Sequence, residues 1–65
     1  MKFEGEPPVV TGGEYTLKIE AEGEKGDGIA KVNGFVVIVP GAKIGEEVKV
    51  RITKVLRRMS FAEVI

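Results

Sequence analysis

Cysteine and histidine are both missing from this 65-residue chain, as is tryptophan. Without cysteine there is no disulfide to staple the fold and no thiolate to hold a metal. Without histidine the commonest general base and the commonest metal ligand are gone as well. A domain this short buries only about 60% of the surface its unfolded chain exposes, and a core of that size rarely contributes more than about 3–5 kcal/mol net. The fold therefore rests on apolar packing and backbone pairing within one domain. Long hydrophobic runs are absent too. The longest, Phe35 to Val39, has five residues, against the roughly 18 that a membrane span requires. The opening "MKFEGEPPVV" has no apolar leader segment. These absences make a cytoplasmic protein with no membrane partner the expectation.

The same absences weigh against catalysis. Ser60 is the only serine, and no histidine exists to activate it. General acid–base work needs paired carboxylates in a water-excluded pocket with their pKa values driven apart. A barrel of this size fills its interior with its own side chains. The expectation is no enzyme, no cofactor, no metal and no small-molecule substrate.

Charge is present in equal amounts of both signs, but it is divided along the chain. Through Asp27 there are three lysines against seven carboxylates, and from Gly28 onward seven cations against three carboxylates. One acidic and one basic side follow, and a basic side attracts polyanions. Alternating solvated charges that merely keep strands soluble would leave the same tally.

The periodicity is that of strands, and no segment has a helical repeat. Residues 1–12 form an extended or flexible lead-in with Pro7-Pro8, ending at Gly12-Gly13; residues 13–65 make the barrel. Tyr15, Leu17, Ile19 and Ala21 alternate with Thr16, Lys18, Glu20 and Glu22, the period of one half-buried strand. "GEKGDG" interrupts it. Ile29 to Val32 leads into Asn33-Gly34, a strong two-residue hairpin signal because both residues tolerate positive φ. Phe35 to Val39 predicts a central strand covered on both faces, stopped by Pro40-Gly41. Alternation resumes at Val48, Val50 and Ile52, then slips phase before Val55, which predicts a bulge near Thr53–Lys54. Met59 to Ile65 is the last strand. About five strands joined by short turns would leave two exposed edges if open, and closure removes them. The fold class is all-β, a small five-stranded antiparallel OB-like barrel.

The glycine-rich "GEKGDG" is not a phosphate cradle. Such loops aim backbone amides at the start of a helix, whereas a strand follows here, and Glu24 and Asp27 repel phosphate. The basic and aromatic residues are more informative. Lys31, Phe35, Arg51, Arg57, Arg58, Met59 and Phe61 all lie in the basic half, and single-stranded nucleic acid is held by cations along its backbone and flat or soft side chains under its bases. Phe35 and Phe61 would equally serve as core, so residue types alone leave open a nucleic-acid binder and a protein-interaction barrel.

The stretch "GEYTLKIEAEGEKGDGIAKVNGFVVIVPGAKIGEEVKVRITKV" resembles the TRAM domain, the small barrel found in tRNA uracil methyltransferases and radical methylthiotransferases and alone in short archaeal proteins. The resemblance runs through Tyr15, Gly26-Asp27-Gly28-Ile29-Ala30, Gly34-Phe35-Val36-Val37, Val39-Pro40-Gly41-Ala42, Gly45-Glu46 and Val48, and closes with Ala62-Glu63-Val64. It covers about residues 8–65 and is closest to the stand-alone archaeal kind. It implies an OB-like barrel that binds RNA, tRNA or mRNA among them, in the manner of cold-shock proteins acting as RNA chaperones. It also leaves room for an accessory barrel serving tRNA-modification or translation proteins. In that frame Lys31, Arg51, Arg57 and Arg58 contact phosphates, Phe35 and Phe61 lie under bases, and Ile38 and Met59 lend apolar contact. The family often carries aromatics at the positions of Ile38 and Met59; isoleucine cannot stack, and methionine offers only a soft contact. A monomer is expected.

Overall fold

In the computed structural model, residues 7–65 are described. Their six strands are β1 (Glu14–Lys18), β2 (Ala21–Glu22), β3 (Asp27–Val32), β4 (Phe35–Pro40), β5 (Glu47–Val55) and β6 (Met59–Val64). No helix occurs among them, so no described helix crosses a membrane. The strands form one sheet in the order β1-β5-β6-β4-β3-β2. Its two outermost members, β1 and β2, are consecutive in the chain, which curls the sheet onto itself.

The alternating run from Tyr15 to Glu22, expected as one strand, is therefore two. The break lies at Ile19 and Glu20, where successive amides serve opposite ends of the sheet. The Ile19 N–H donates to the Glu46 carbonyl and the Glu20 N–H to the Ile29 carbonyl, both at 2.8 Å. One continuous strand cannot pair with β5 and β3 along its whole length, so the chain changes partner and the count rises from five to six.

The barrel is not wholly antiparallel. The β4·β6 pair is parallel, with Val36 opposite Met59 and Ile38 opposite Phe61. The cause is connectivity. The chain leaves β4 through residues 41–46 and places β5 against β1. The strand that returns antiparallel to β5 and fills the remaining gap then runs alongside β4.

Turn chemistry sets the register. Asn33 and Gly34 have φ of 52° and 84°, the paired positive values of a type I′ turn, and they close the β3–β4 hairpin with Val32 opposite Phe35. The "GDG" and "VPGA" signatures meet in space. Gly28 pairs with Val39, and a Cβ on Gly28 would lie 2.8 Å from the Ala42 Cβ and 2.9 Å from its carbonyl oxygen. Glycine at 28 lets the buried Ala42 turn in beneath the sheet.

The core takes one side chain in two from each long strand: Leu17 from β1, Ala30 from β3, Phe35, Val37 and Val39 from β4, Val50 and Ile52 from β5, and Ala62 from β6. Ile19 and Val9 join them. The expected lead-in over residues 1–12 lies outside the described residues as far as residue 6. Beyond that, Val9 is buried, and the Gly12 N–H donates to the Ile52 carbonyl at 2.7 Å. Ser60 is fully buried among apolar neighbours and donates its hydroxyl to the Val36 carbonyl at 3.1 Å, so burial leaves no orphaned polar group.

The predicted bulge is present. Ile52 faces Ala62 and Lys54 faces Phe61, leaving Thr53 as the extra residue, its hydroxyl donating to the Phe61 carbonyl at 3.2 Å. The central strand departs from expectation. Phe35, Val37 and Val39 are buried, but Val36 and Ile38 are only half-buried, so β4 is covered on one face and open on the other. With no helix packed over the sheet, nothing among the described residues covers its outer side.

Gly28→Ala tests the close approach. Overpacking against Ala42 is expected to cost about 1–3 kcal/mol, lowering the melting temperature by several degrees or more at about 4–8 °C per kcal/mol. A thermal melt unchanged from the parent would contradict it.

Candidate nucleic-acid interface

The outer face of the sheet is built by the residues that strand alternation turns away from the core. On β3 these are Asp27, Ile29 and Lys31; on β4, Val36, Ile38 and Pro40; on β6, Met59, Phe61 and Glu63. The bulge keeps Lys54 of β5 on the same side, opposite Phe61. Register arranges them in rows across the strands. One row runs Lys31–Val36–Met59 and the next Ile29–Ile38–Phe61–Lys54. Half-buried apolar side chains thus form a shallow floor with a cation at one side of each row.

The face has a direction along its strands. The β3–β4 turn and the β5–β6 loop lie at the same end because β4 and β6 run parallel from there. That end carries Lys31 and the exposed Arg57 and Arg58 of the loop, with Lys54 close by. No Asp or Glu occurs from Gly28 to Val39 or from Val48 to Ala62, so among the described residues no carboxylate from these segments offsets this cationic end. The opposite end, with the β2–β3 turn and the loop into β5, holds Glu20, Glu22, Glu24, Asp27, Glu46 and Glu47 against Lys18, Lys25 and Lys43, a net negative charge. The charge division of the sequence has become an axial one.

Between the ends lies a balanced belt. Arg51 sits 3.0 Å from a Glu14 carboxylate oxygen and 4.0 Å from Glu63, while Lys49 lies 3.9 Å from Glu14. All are substantially exposed, so the belt adds little stability. Its consequence is for charge, because Arg51 is flanked by carboxylates on both neighbouring strands.

The expected site residues thus separate into groups. Lys31, Ile38, Met59 and Phe61 share the outer face, and Arg57 and Arg58 border it. Arg51 is on that side of the sheet but engaged with Glu14 and Glu63. Phe35 departs from its expected place under a base, being 1% exposed in the core. The two-residue turn makes Phe35 the inward partner of Val32, and β4 alternation then sends Val36, not Phe35, outward. Lys54, Ile29 and Val36 belong to the face although residue type did not single them out. For Lys54 the signal was available: the phase slip before Val55 places it outward. Among the described residues no cluster suited to a metal ion occurs, and no side-chain pair offers acid–base or nucleophilic geometry.

A small, strongly curled β-sheet whose open face combines apolar and cationic side chains is of the oligonucleotide-binding, partly open barrel type of architecture. The family model for the TRAM domain matches residues 8–65, and this chain belongs to that family. An uncharacterized protein of Methanocaldococcus jannaschii is 53% identical over 58 residues, covering 89% of this chain and 75% of that protein. The solution structure of a conserved protein of Methanococcus maripaludis superposes with a TM-score of 0.88 at 45% identity, covering 92% of this chain and 86% of that one. Translation initiation factor 2 subunit beta of Methanosarcina mazei is 52% identical over 52 residues, 80% of this chain but 26% of that protein. Ribosomal RNA large subunit methyltransferase E of Haloquadratum walsbyi is 41% identical over 58 residues, 89% of this chain and 23% of the enzyme. This chain therefore spans about a quarter of those two longer relatives.

The two phenylalanines separate experimentally. Phe35→Ala removes a buried ring at about 3–5 kcal/mol, as much as a core of this size contributes, so it should abolish cooperative unfolding. Phe61→Ala should leave a cooperative melt within a few degrees of the parent. Equal destabilisation of the two would place Phe61 in the core.

Proposed function

We propose that this protein binds single-stranded or weakly structured RNA, largely without regard to sequence, across the outer face of β3, β4 and β6. The observation that carries this reading is the row Ile29–Ile38–Phe61–Lys54 beside an end of the barrel where the described residues bring together four cations and no carboxylate. Phe61 supplies a stacking ring, Ile38 and Met59 widen the apolar floor, and Lys31, Lys54, Arg57 and Arg58 pair with phosphates. Arg51 shares its charge with the exposed Glu14 and Glu63.

A protein of this kind acts as an RNA chaperone without a nucleotide cofactor. It binds open strands more tightly than paired ones, so mass action moves the population away from misfolded helices. Bases must be unstacked to reach a flat apolar floor, and those of a duplex are not. A second reading, an accessory RNA-binding barrel of translation or RNA-modification machinery, draws support from the two longer relatives, of which the matching stretch is about a quarter.

Four phosphate contacts predict a log–log salt slope near −3 for a short labelled RNA, a loss of about 50-fold between 50 and 200 mM salt. Fluorescence anisotropy reads this directly, and a flat response would remove the phosphate assignment. Phe61→Ala should weaken binding by about 1–3 kcal/mol. Strand opening of a labelled hairpin at saturating protein distinguishes a chaperone from an accessory barrel that binds without melting.

A further inference from the structure

Asp27, the centre of the Gly26-Asp27-Gly28 signature, is not explained by folding or by phosphate binding. It lies on the outer face of β3, in the same file as Ile29 and Lys31 and opposite Pro40. The alternation is unambiguous, because Gly28 next to it points inward against Ala42. Asp27 is half-buried, yet its carboxylate makes no hydrogen bond or ion pair with another described residue. Of the other outward-facing carboxylates, Glu14 and Glu63 are engaged with Arg51, while Glu47 lies on β5, away from the β3–β4–β6 floor. Pro40 has no N–H to offer. An acceptor-only group thus stands unspent at the edge of the apolar floor.

Its position relative to the cations gives it a partner. Lys31 and Asp27 are four residues apart on one strand, about 13 Å at 3.3–3.4 Å per residue, with Ile29 between them and Ile38 and Phe61 alongside. A nucleotide whose phosphate lies at the Lys31 end and whose base rests on Ile38 and Phe61 directs its Watson–Crick edge toward Asp27. On the RNA-binding reading, we propose that Asp27 is a specificity-determining residue that accepts hydrogen bonds from that edge. Guanine presents N1–H and the N2 amino group side by side, which matches the two oxygens of a carboxylate. Cytosine and adenine offer one amino group each. Uracil sets its single N–H between two carbonyl oxygens, which the carboxylate repels. The preferred base at this one position is therefore guanine, and the disfavoured one uracil. In a duplex these donors are already spent, so Asp27 also opposes paired RNA.

The test compares a uridine hexamer with the same hexamer carrying one central guanosine, by anisotropy at low salt. The intact protein should bind the guanosine oligomer roughly 10-fold more tightly, the effect of one well-made bidentate contact. Asp27→Asn, of nearly the same size, should bring the ratio close to one and strengthen binding of the uridine hexamer, with a thermal melt establishing that the variant is folded. Equal affinities in the parent protein, or a ratio untouched by Asp27→Asn, would overturn the role of Asp27 while leaving RNA binding in place. Failure to bind either oligomer would overturn both.

Discussion

The register of the β3–β4 hairpin governs both the interior and the exterior of this molecule. With two residues at positive φ, Asn33 and Gly34 allow only the pairing of Val32 with Phe35. From that pairing, strand alternation sends Phe35, Val37 and Val39 into the core and Val36 and Ile38 outward. A slip of one residue would exchange the two sets, placing the largest core side chain in solvent. Because β6 pairs in parallel with β4, the same register also positions Met59 and Phe61 beside Val36 and Ile38. Core and binding face are two sides of one alignment.

The sheet curls into a half-barrel with very little chain. Two adjacent amides, those of Ile19 and Glu20, bond to opposite ends of the sheet order, and one bulge at Thr53 bends the longest strand. Gly28 removes the one Cβ that would keep Ala42 from tucking beneath the sheet. These economies suit a domain too small to draw on a large core, and they explain why its signature residues cluster at turns and close approaches. They also leave one sheet face without a covering layer among the described residues, and that is the face carrying the cations.

Electrostatics gives the face its orientation. The topology gathers Lys31, Lys54, Arg57 and Arg58 at one end, spends Lys49 and Arg51 against Glu14 and Glu63 in the middle, and leaves the carboxylates at the other end. A phosphate backbone is drawn to the first and repelled by the last, so bases are directed along the apolar floor. Asp27 belongs to this gradient, which turns a glycine-rich motif into a position that a base edge can meet.

Local sequence determined the all-β class, the type I′ hairpin, the bulge before Val55 and the family, because each is written in neighbouring residues: alternation, an Asn-Gly pair, a phase slip, glycines in fixed register. It also named Lys31, Met59 and Phe61 as candidate contacts, to which the family resemblance added Ile38, without saying which of them face outward. What it did not determine depended on partners far along the chain. Residue type could not separate Phe35 from Phe61, since both are aromatic residues on alternating strands and only the pairing around the barrel says which face is inside. Nor could it foresee that Arg51 lies between two carboxylates from separate strands, that β4 and β6 run parallel, or that one alternating run divides at Ile19 to join both ends of the sheet. Those are properties of the curled sheet, which exists only once strands distant in sequence have found their neighbours.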